Sequence, residues 1–526
     1  MKGKDETSPG FHAVQYKIKQ IHSVKNDFHP ECLSLQTKIE KLSKHLRIDF
    51  NIVMREKVIF NNLCKFLGND PTDDQSSVLG LFADYICNDD TGRIFLLTGY
   101  AGTGKTSVIN ALVKTLSALR FKTVLLAPTG RAAKVLSSYT GQNAYTIHKK
   151  IYRQKSLKDG MGSFVLDRNL QRNAWFIVDE ASMISNSENE ASIFGSGKLL
   201  DDLVEYVYSG IDCRLILVGD TAQLPPVGSA VSPALDSRVL NAYGFGLVAA
   251  ELKQVVRQSE TSGVLVNATR IRLQIENEEL ERPQIDTIGF DDIKRITGED
   301  LIDEITAGYD SAGMDETIIV VNSNKLANKY NQGIRNRIFF REEEIGPGDL
   351  VMVVRNNYFI TDEDSGIEFI ANGDIAEVRK IRKYEEMYGF RFADMELYFR
   401  DYDLEIASKV ILDVLNLDAP ALPSDRNREL FHNILADYAH IKTRKKQYEA
   451  VRSDKYFNAL QIKFAYAVTC HKAQGGQWER VFIDQGMFNR TGVTPDYLKW
   501  FYTALTRSTD RVYLVNFSNE FFPLSE

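Results

Sequence analysis

Residues Leu96 to Thr106 read Leu-Leu-Thr-Gly99-Tyr-Ala101-Gly102-Thr103-Gly104-Lys105-Thr106 and fit the pattern GxxxxGK[ST]. An apolar run, Ile94–Thr98, leads into it, and an amphipathic stretch, Thr106–Leu119, follows it. That strand-then-helix context gives the pattern its meaning. Glycines let the backbone curl until its amides point at phosphate oxygens. The start of the following helix adds positive potential. Lys105 is expected to meet the β- and γ-phosphates of a nucleotide, and Thr106 to ligate Mg2+. Gly99, Ala101, Gly102, Thr103 and Gly104 complete the expected cradle.

The rest of the chain supplies a sheet to carry such a loop. Thr123–Ala127, Trp175–Val178 and Leu215–Val218 are short, rich in Ile, Leu and Val, and bounded by turn residues. Runs of this kind read as buried parallel strands of an α/β fold. A second α/β stretch has strand candidates at Thr317–Val321, Val481–Asp484 and Arg511–Val515. Between its parts, 342–402 alternates apolar and polar residues and is broken by Gly, Asn and Asp, which reads as a small inserted β-barrel. Residues 425–460 read as helical and basic, and Leu33–Ile52 as an amphipathic helix.

Composition narrows the class without fixing it. The net charge of −7 argues weakly against nucleic acid, but net charge averages over the whole surface and a phosphate-binding track needs only local basic residues. The five cysteines are scattered and none has CxxC spacing, so no zinc or iron–sulfur site is expected. Reduced thiols in a cytosol-like compartment fit that pattern. The polar start, MKGKDETSPG, has no signal-peptide core, and no run approaches the ~20 apolar residues of a spanning helix.

Two further segments extend the phosphate chemistry. Phe176-Ile-Val-Asp179-Glu180 is an apolar strand ending in paired carboxylates. Asp179 is expected to hold Mg2+, and Glu180 to orient or deprotonate the attacking water. The strand Leu215–Val218 leads into Gly219-Asp220-Thr-Ala-Gln223-Leu-Pro225-Pro226-Val. There Gln223 can report hydrolysis, and the prolines stiffen the loop that carries the signal away.

Taken with these elements, the chain resembles the RecD-like and Dda-like helicases, the superfamily 1 branch that moves 5′→3′. Ala127-Pro128-Thr129-Gly130-Arg131-Ala-Ala looks like motif Ia, Thr146-Ile-His148 like Ib, and Asp179-Glu180-Ala-Ser like II. Gly219 to Val227 looks like motif III, and Gln254-Val-Val-Arg257-Gln like IV. Tyr466 to Gly475 looks like motif V, Tyr502 to Arg507 like VI, and Pro71 to Gln75 like the adenine-reading Q motif. They occur in family order from Gln75 to Arg507.

The resemblance implies two RecA-like P-loop domains with parallel sheets and ATP between them. It implies a β-hairpin insertion in the first domain and an SH3-like β-barrel insertion in the second. The expected divisions are a helical extension over 1–70, a first RecA-like domain over 71–240, and a second split into 241–341 and 461–526 around an inserted region, 342–460. The hairpin, at about 146–174, would be the strand-separating pin.

By the same resemblance Arg257 and Arg507 are arginine fingers, and Gln75, Gln474 and Gly475 touch the nucleotide. Pro128, Thr129, His148, Phe164, Pro225, Thr469 and His471 are expected to contact the nucleic acid. Basic residues from Lys442 to Lys455 are candidates for lining its path. The cofactors implied are ATP and Mg2+. The partners implied are single-stranded DNA and single-strand/duplex junctions, with no membrane. A monomer is the expected working form, with residues 1–70 free to dock a protein partner.

Three readings stand at this point. The first is an ATP-dependent DNA helicase. The second is a translocase that remodels protein–DNA complexes without unwinding, or a motor subunit of a helicase–nuclease assembly. The third is an assembly subunit with a relic ATP site, against which the intact Lys105, Asp179, Glu180, Gln223, Arg257 and Arg507 speak.

Overall fold

In the computed structural model, residues 54–154, 164–187, 195–256, 261–357, 370–401, 403–486 and 492–523 are described. The chain from Phe60 onward forms one compact unit, which holds every element below. The helix expected at Leu33–Ile52 lies outside the described residues.

Helix α1 (Asp73–Cys87) opens on a capping box: Thr72 Oγ1 accepts from the Gln75 amide, and Gln75 Oε1 accepts from the Thr72 amide. Strands β1 (Arg93–Gly99), β2 (Lys122–Ala127), β3 (Ala144–Thr146), β6 (Ala174–Val178), β7 (Arg214–Gly219) and β8 (Gly246–Leu252) make one parallel sheet in the order β3-β2-β6-β7-β1-β8. Helix α2 (Lys105–Ala118) buries Val108, Ile109, Leu112, Val113 and Leu116. Each such side chain contributes roughly 1.5–3 kcal/mol when fully buried. Helix α3 (Gly130–Thr140) follows β2 and stops at Gly141, whose φ of 67° suits glycine.

The first sheet corrects the expected division at 240, since its edge strand β8 comes after it. Only Val248 and Leu252 of β8 are buried, so it carries no continuous buried apolar run.

Strands β4 (Tyr152–Gln154) and β5 (Phe164–Leu166) pair antiparallel and form the base of the expected hairpin. Its tip, with Asp159–Ser163, lies outside the described residues. The base is tied to the first sheet's core, where the Tyr152 hydroxyl donates to Asp202 at 2.6 Å.

The second sheet is also parallel. It contains β9 (Ile293–Ile296), β10 (Thr317–Val321), β16 (Ala467–Thr469), β17 (Trp478–Asp484) and β18 (Ser508–Val515), in the order β16-β10-β17-β18-β9. Between β10 and β16 the chain builds a closed barrel of β11 (Leu350–Val353), β12 (Ile375–Met387), β13 (Phe390–Phe399), β14 (Leu404–Ile411) and β15 (Leu460–Phe464).

The barrel therefore does not end at 402, and its closure depends on β14 and β15. The helices Ser424–Asp437 and Arg444–Arg452 are spliced between those two strands. The barrel's foot is held by Asp349, which is fully buried. It accepts from Arg335 Nε (3.1 Å), Tyr466 Oη (2.9 Å), the Gly346 amide (2.8 Å) and Arg341. A buried carboxylate is tolerable only with such compensation. Among the described residues, no helix is long and apolar enough to cross a membrane.

Candidate nucleotide site and strand interface

The C-terminal ends of parallel strands are where an open α/β sheet gathers ligand-binding loops. Between β1 and α2 the backbone turns through Gly102 (φ 77°) and Gly104 (φ 83°). A Cβ on Gly104 would lie 2.5 Å from Gln75 Nε2, the movable end of a side chain, so it is the left-handed conformation that favours glycine there. Lys105 Nζ donates to the carbonyls of Gly99 (2.7 Å) and Tyr100 (2.9 Å) and lies 3.7 Å from Asp220. Thr103 is buried, and its hydroxyl donates to the Tyr100 carbonyl at 2.8 Å.

Strand β6 ends in Asp179 and Glu180. Glu180 adopts a left-handed conformation (φ 52°, ψ 37°), a strain of order 1–3 kcal/mol that persists where surroundings enforce it. Asp179 Oδ1 accepts from the Glu180 amide (2.8 Å), and Oδ2 accepts from the Tyr139 hydroxyl (2.7 Å). Burial pushes the Glu180 carboxyl above the usual carboxylate range, and the pull of Arg507 opposes it. A raised carboxyl suits a group that takes a proton from water.

The second sheet completes the cleft. The helix Pro495–Leu505 brings Tyr502, whose hydroxyl accepts from the Ala101 amide (2.8 Å) and donates to Asp220 (2.7 Å). The next residue, Thr503, accepts from the Leu224 amide at 2.9 Å. Arg507 is 3% exposed and is oriented by the carbonyls of Thr503 (3.0 Å) and Gly476 (3.2 Å). With its amide turned to satisfy its neighbours, Gln223 donates to Glu180 Oε2 (3.2 Å) and accepts from Arg507 Nη2 (3.0 Å). Arg507 Nη1 lies 3.8 Å from Glu180 Oε1. One relay of Glu180, Gln223 and Arg507 thus crosses between the sheets.

These residues border a cavity of about 520 Å3 that also receives Gly102, Gly104, Thr106 and Gly475. The exposed Thr106 hydroxyl and the Asp179 carboxylate are hard oxygen donors and do not complete a coordination shell. That donor set fits Mg2+ shared with phosphate oxygens and water.

Three expected nucleotide contacts are engaged elsewhere. Gln75 is 5% exposed: its oxygen closes the α1 cap and its Nε2 donates to the Thr103 carbonyl at 3.1 Å. It braces the cradle from behind, while Asn69 borders the cavity. Gln474 is also buried, donating to the Leu224 carbonyl at 2.7 Å, so it ties the second sheet to the Gln223 loop. Thr103 points away into the loop's interior. Arg257 lies outside the described residues. The sequence alone assigns no role to Tyr139, and none specifically to Asp220 or Tyr502, because a lone tyrosine in a helix has no distinguishing pattern.

The proposed strand contacts divide in a similar way. Half-buried Pro128 and Thr129 sit at the end of β2, and Thr129 caps α3 by accepting from the Ala132 amide at 3.2 Å. Thr146 caps the helix Ile147–Ile151 in the same manner. A Cβ on Gly475 would lie 3.2 Å from Thr129 Oγ1, so the loop after β16 abuts the loop after β2. Thr469 and the exposed His471 lie in that loop's approach, and Lys472 donates to Asn372 of the barrel. Gly130, Thr146 and Lys149 face Ala371 and Asp401 of the barrel region across a cleft of about 330 Å3. Lys134 crosses to Asp401 at 2.7 Å.

Two expected contacts are corrected by the packing. Phe164 is 3% exposed and packs in the first sheet's core, because β5 turns that face inward. Pro225 is buried beside Leu224, which bonds to Thr503 and Gln474, and the exposed apolar residue of that loop is Val227, at 78%. His148 packs against Tyr152 with ring centres 5.8 Å apart. Burial lowers its pKa to about 4, so the ring is neutral near pH 7 and offers a phosphate no charge.

Residues 83–282 match the AAA domain model, and residues 464–515 match the UvrD-like helicase C-terminal domain model. The chain is 24% identical to uncharacterized protein R530 of Acanthamoeba polyphaga mimivirus, over 81% of this chain and 96% of that one. It is 25% identical to the ATP-dependent RecD2 DNA helicase of Deinococcus radiodurans, over 84% of this chain and 48% of the relative. It is 24% identical to the ATP-dependent DNA helicase Dda of Enterobacteria phage T4, over 74% of this chain and 86% of that one. It therefore spans nearly all of the viral protein but under half of RecD2. In its motifs, its matched models and its relatives, this chain is similar to the superfamily 1 helicases of the RecD-like and Dda-like branch.

Proposed function

We propose that the chain is an ATP-driven DNA helicase that moves 5′→3′ on a single strand and unwinds duplex ahead of it. The observation that carries this reading is the Glu180–Gln223–Arg507 relay, which links the two sheets across the cleft. The direction of travel rests on the likeness to the RecD-like branch.

Lys105 and the Gly102–Gly104 backbone bind the phosphates. Thr106 and Asp179 would hold Mg2+, which when bound neutralises phosphate charge. Glu180 takes up the proton of the attacking water. Arg507 stabilises charge on the transferring phosphoryl group, a role worth roughly 10³–10⁵ in rate. Arg257 is the second cation proposed for that role. Gln223 senses the phosphate, and its loop carries the change through Leu224 to Thr503 and Gln474.

The strand lies along the loops after β2, β3 and β16, against the barrel. Helix N-termini and capped hydroxyls there grip phosphates without reading bases. Pro128, Thr129, Thr469 and His471 are the contacts proposed, and the hairpin beyond β4 is the proposed wedge. The working unit is a cytoplasmic monomer at a single-strand/duplex junction, with residues 1–70 as a docking arm for a protein partner.

Unwinding of duplexes with a 5′ or a 3′ single-stranded tail tests this reading. ATP-dependent strand release from the 5′-tailed substrate alone is the expected result. Robust DNA-stimulated hydrolysis with neither substrate unwound would favour the translocase instead.

A further inference from the structure

Among the described residues, the one hydrogen bond to Asp179 that comes from outside its own strand end is the one from Tyr139. Its origin lies in the geometry of α3. Ala132, Val135 and Tyr139 recur at helical spacing, fall on one face, and all border the nucleotide cavity. The helix ends one residue later, at Thr140, so Tyr139 occupies its last turn and reaches the end of β6. The bond is short, at 2.7 Å, and its direction is fixed. A phenol carries its proton at neutral pH and a carboxylate has none to give, so Tyr139 is the donor in this bond.

A carboxylate has about four lone-pair positions. In Asp179, Oδ1 gives one to the Glu180 amide and Oδ2 gives one to Tyr139. Anchored at both oxygens, the group cannot turn about its Cβ–Cγ bond. Asp179 borders the nucleotide cavity, and each oxygen keeps acceptor capacity beyond the one hydrogen bond it receives. That is the arrangement a carboxylate needs to receive the water ligands of a divalent cation at the mouth of the cradle.

We propose that Tyr139 is a positioning residue of the nucleotide–metal site, holding the Asp179 carboxylate in the one orientation that accepts the hydrated cation. The proposal rests on the ATP-binding reading above and adds a residue to it. Partners that orient a metal-binding group typically account for 10–100-fold in metal affinity, and contact through water puts Tyr139 at the lower end, about tenfold. A tyrosine that merely fills space beside α3 would leave metal affinity untouched when its hydroxyl alone is removed.

The experiment uses the full chain and Tyr139→Phe, with Mn2+ as the spectroscopic probe. Mn2+ is titrated into the ADP complex and followed by the electron paramagnetic resonance of the free ion. Mn2+ binding should weaken about tenfold in the variant, while ADP affinity measured in excess EDTA stays at the wild-type value. In an Asp179→Asn background, adding Tyr139→Phe should change nothing further, because the two residues act through one bond. Variant and wild type agreeing within about twofold would overturn the role of Tyr139 and leave the nucleotide site standing. A wild-type chain that binds neither ADP nor Mn2+–ADP would instead overturn the reading beneath it.

Discussion

The nucleotide cleft lies between the two sheets and the proposed strand groove between the first sheet's loops and the barrel, and they use side chains in opposite ways. In the cleft, formal charges are fixed by named partners: Lys105 by two carbonyls, Asp179 by two donors, Arg507 by two carbonyls and Gln223. In the groove, Thr129 and Thr146 cap helices, and His148 is held neutral. Phosphoryl transfer develops charge at one place and rewards groups already aimed there. Holding a strand regardless of its sequence rewards backbone ends and hydroxyls spread over several turns. Single changes in the cleft should therefore be severe, and single changes in the groove mild.

The largest effect is expected from Arg507→Ala. Its kcat for ATP should fall by roughly 10³-fold or more, with nucleotide affinity little changed. Steady-state hydrolysis and equilibrium ADP binding on one preparation would check this, and a loss confined to KM would break the contrast.

Tyr502→Phe comes next. It leaves the buried Asp220 carboxylate and the Ala101 amide without their shared hydroxyl, at a cost of about 1–3 kcal/mol. Urea denaturation should show a lower midpoint at an unchanged m-value.

The Thr129→Ala change should cost ~1 kcal/mol through the lost α3 cap and weaken single-strand binding only several-fold. Fluorescence anisotropy with a labelled oligonucleotide would measure the second part.

His148 supplies the pH test. Its folded pKa of about 4 lies below the unfolded value near 6.5, so the unfolded chain binds the extra proton between them. Stability is fully retained above pH 6.5 and falls as pH drops toward 4. Replacing His148 by Gln should flatten that part of the profile, and single-strand affinity should be indifferent to pH between about 7 and 8.

The smallest effect belongs to Lys134→Ala. Its exposed pair with Asp401 should contribute no more than about 1 kcal/mol.

The same contrast explains how much is legible in the sequence. The strands leading to Lys105, Asp179 and Gln223 are continuous apolar runs, because buried parallel strands are covered on both faces. Their spacing from the chemistry is fixed, so the cleft can be read from the order of residues alone. Strand β8 cannot be read this way, since it lies at the sheet edge and buries only Val248 and Leu252. Closure of the barrel by β15 escapes as well. Two helices separate that strand from β14, and their pairing is a long-range event with no local signal.

Tyr139 and Tyr502 are invisible as functional residues for a different reason. A hydroxyl acquires its role from the atom opposite, which the fold alone supplies. Phe164 and Pro225 mislead because a hairpin residue and a loop proline look exposed in sequence, whereas packing turns both inward.

The most direct test is ATP hydrolysis by the purified chain with and without single-stranded DNA, beside Lys105→Ala. Hydrolysis strongly stimulated by the strand in the wild type, and lost in the variant, is the predicted result. Hydrolysis indifferent to the strand, or undiminished without Lys105, would contradict the claim that these two sheets form one strand-coupled motor.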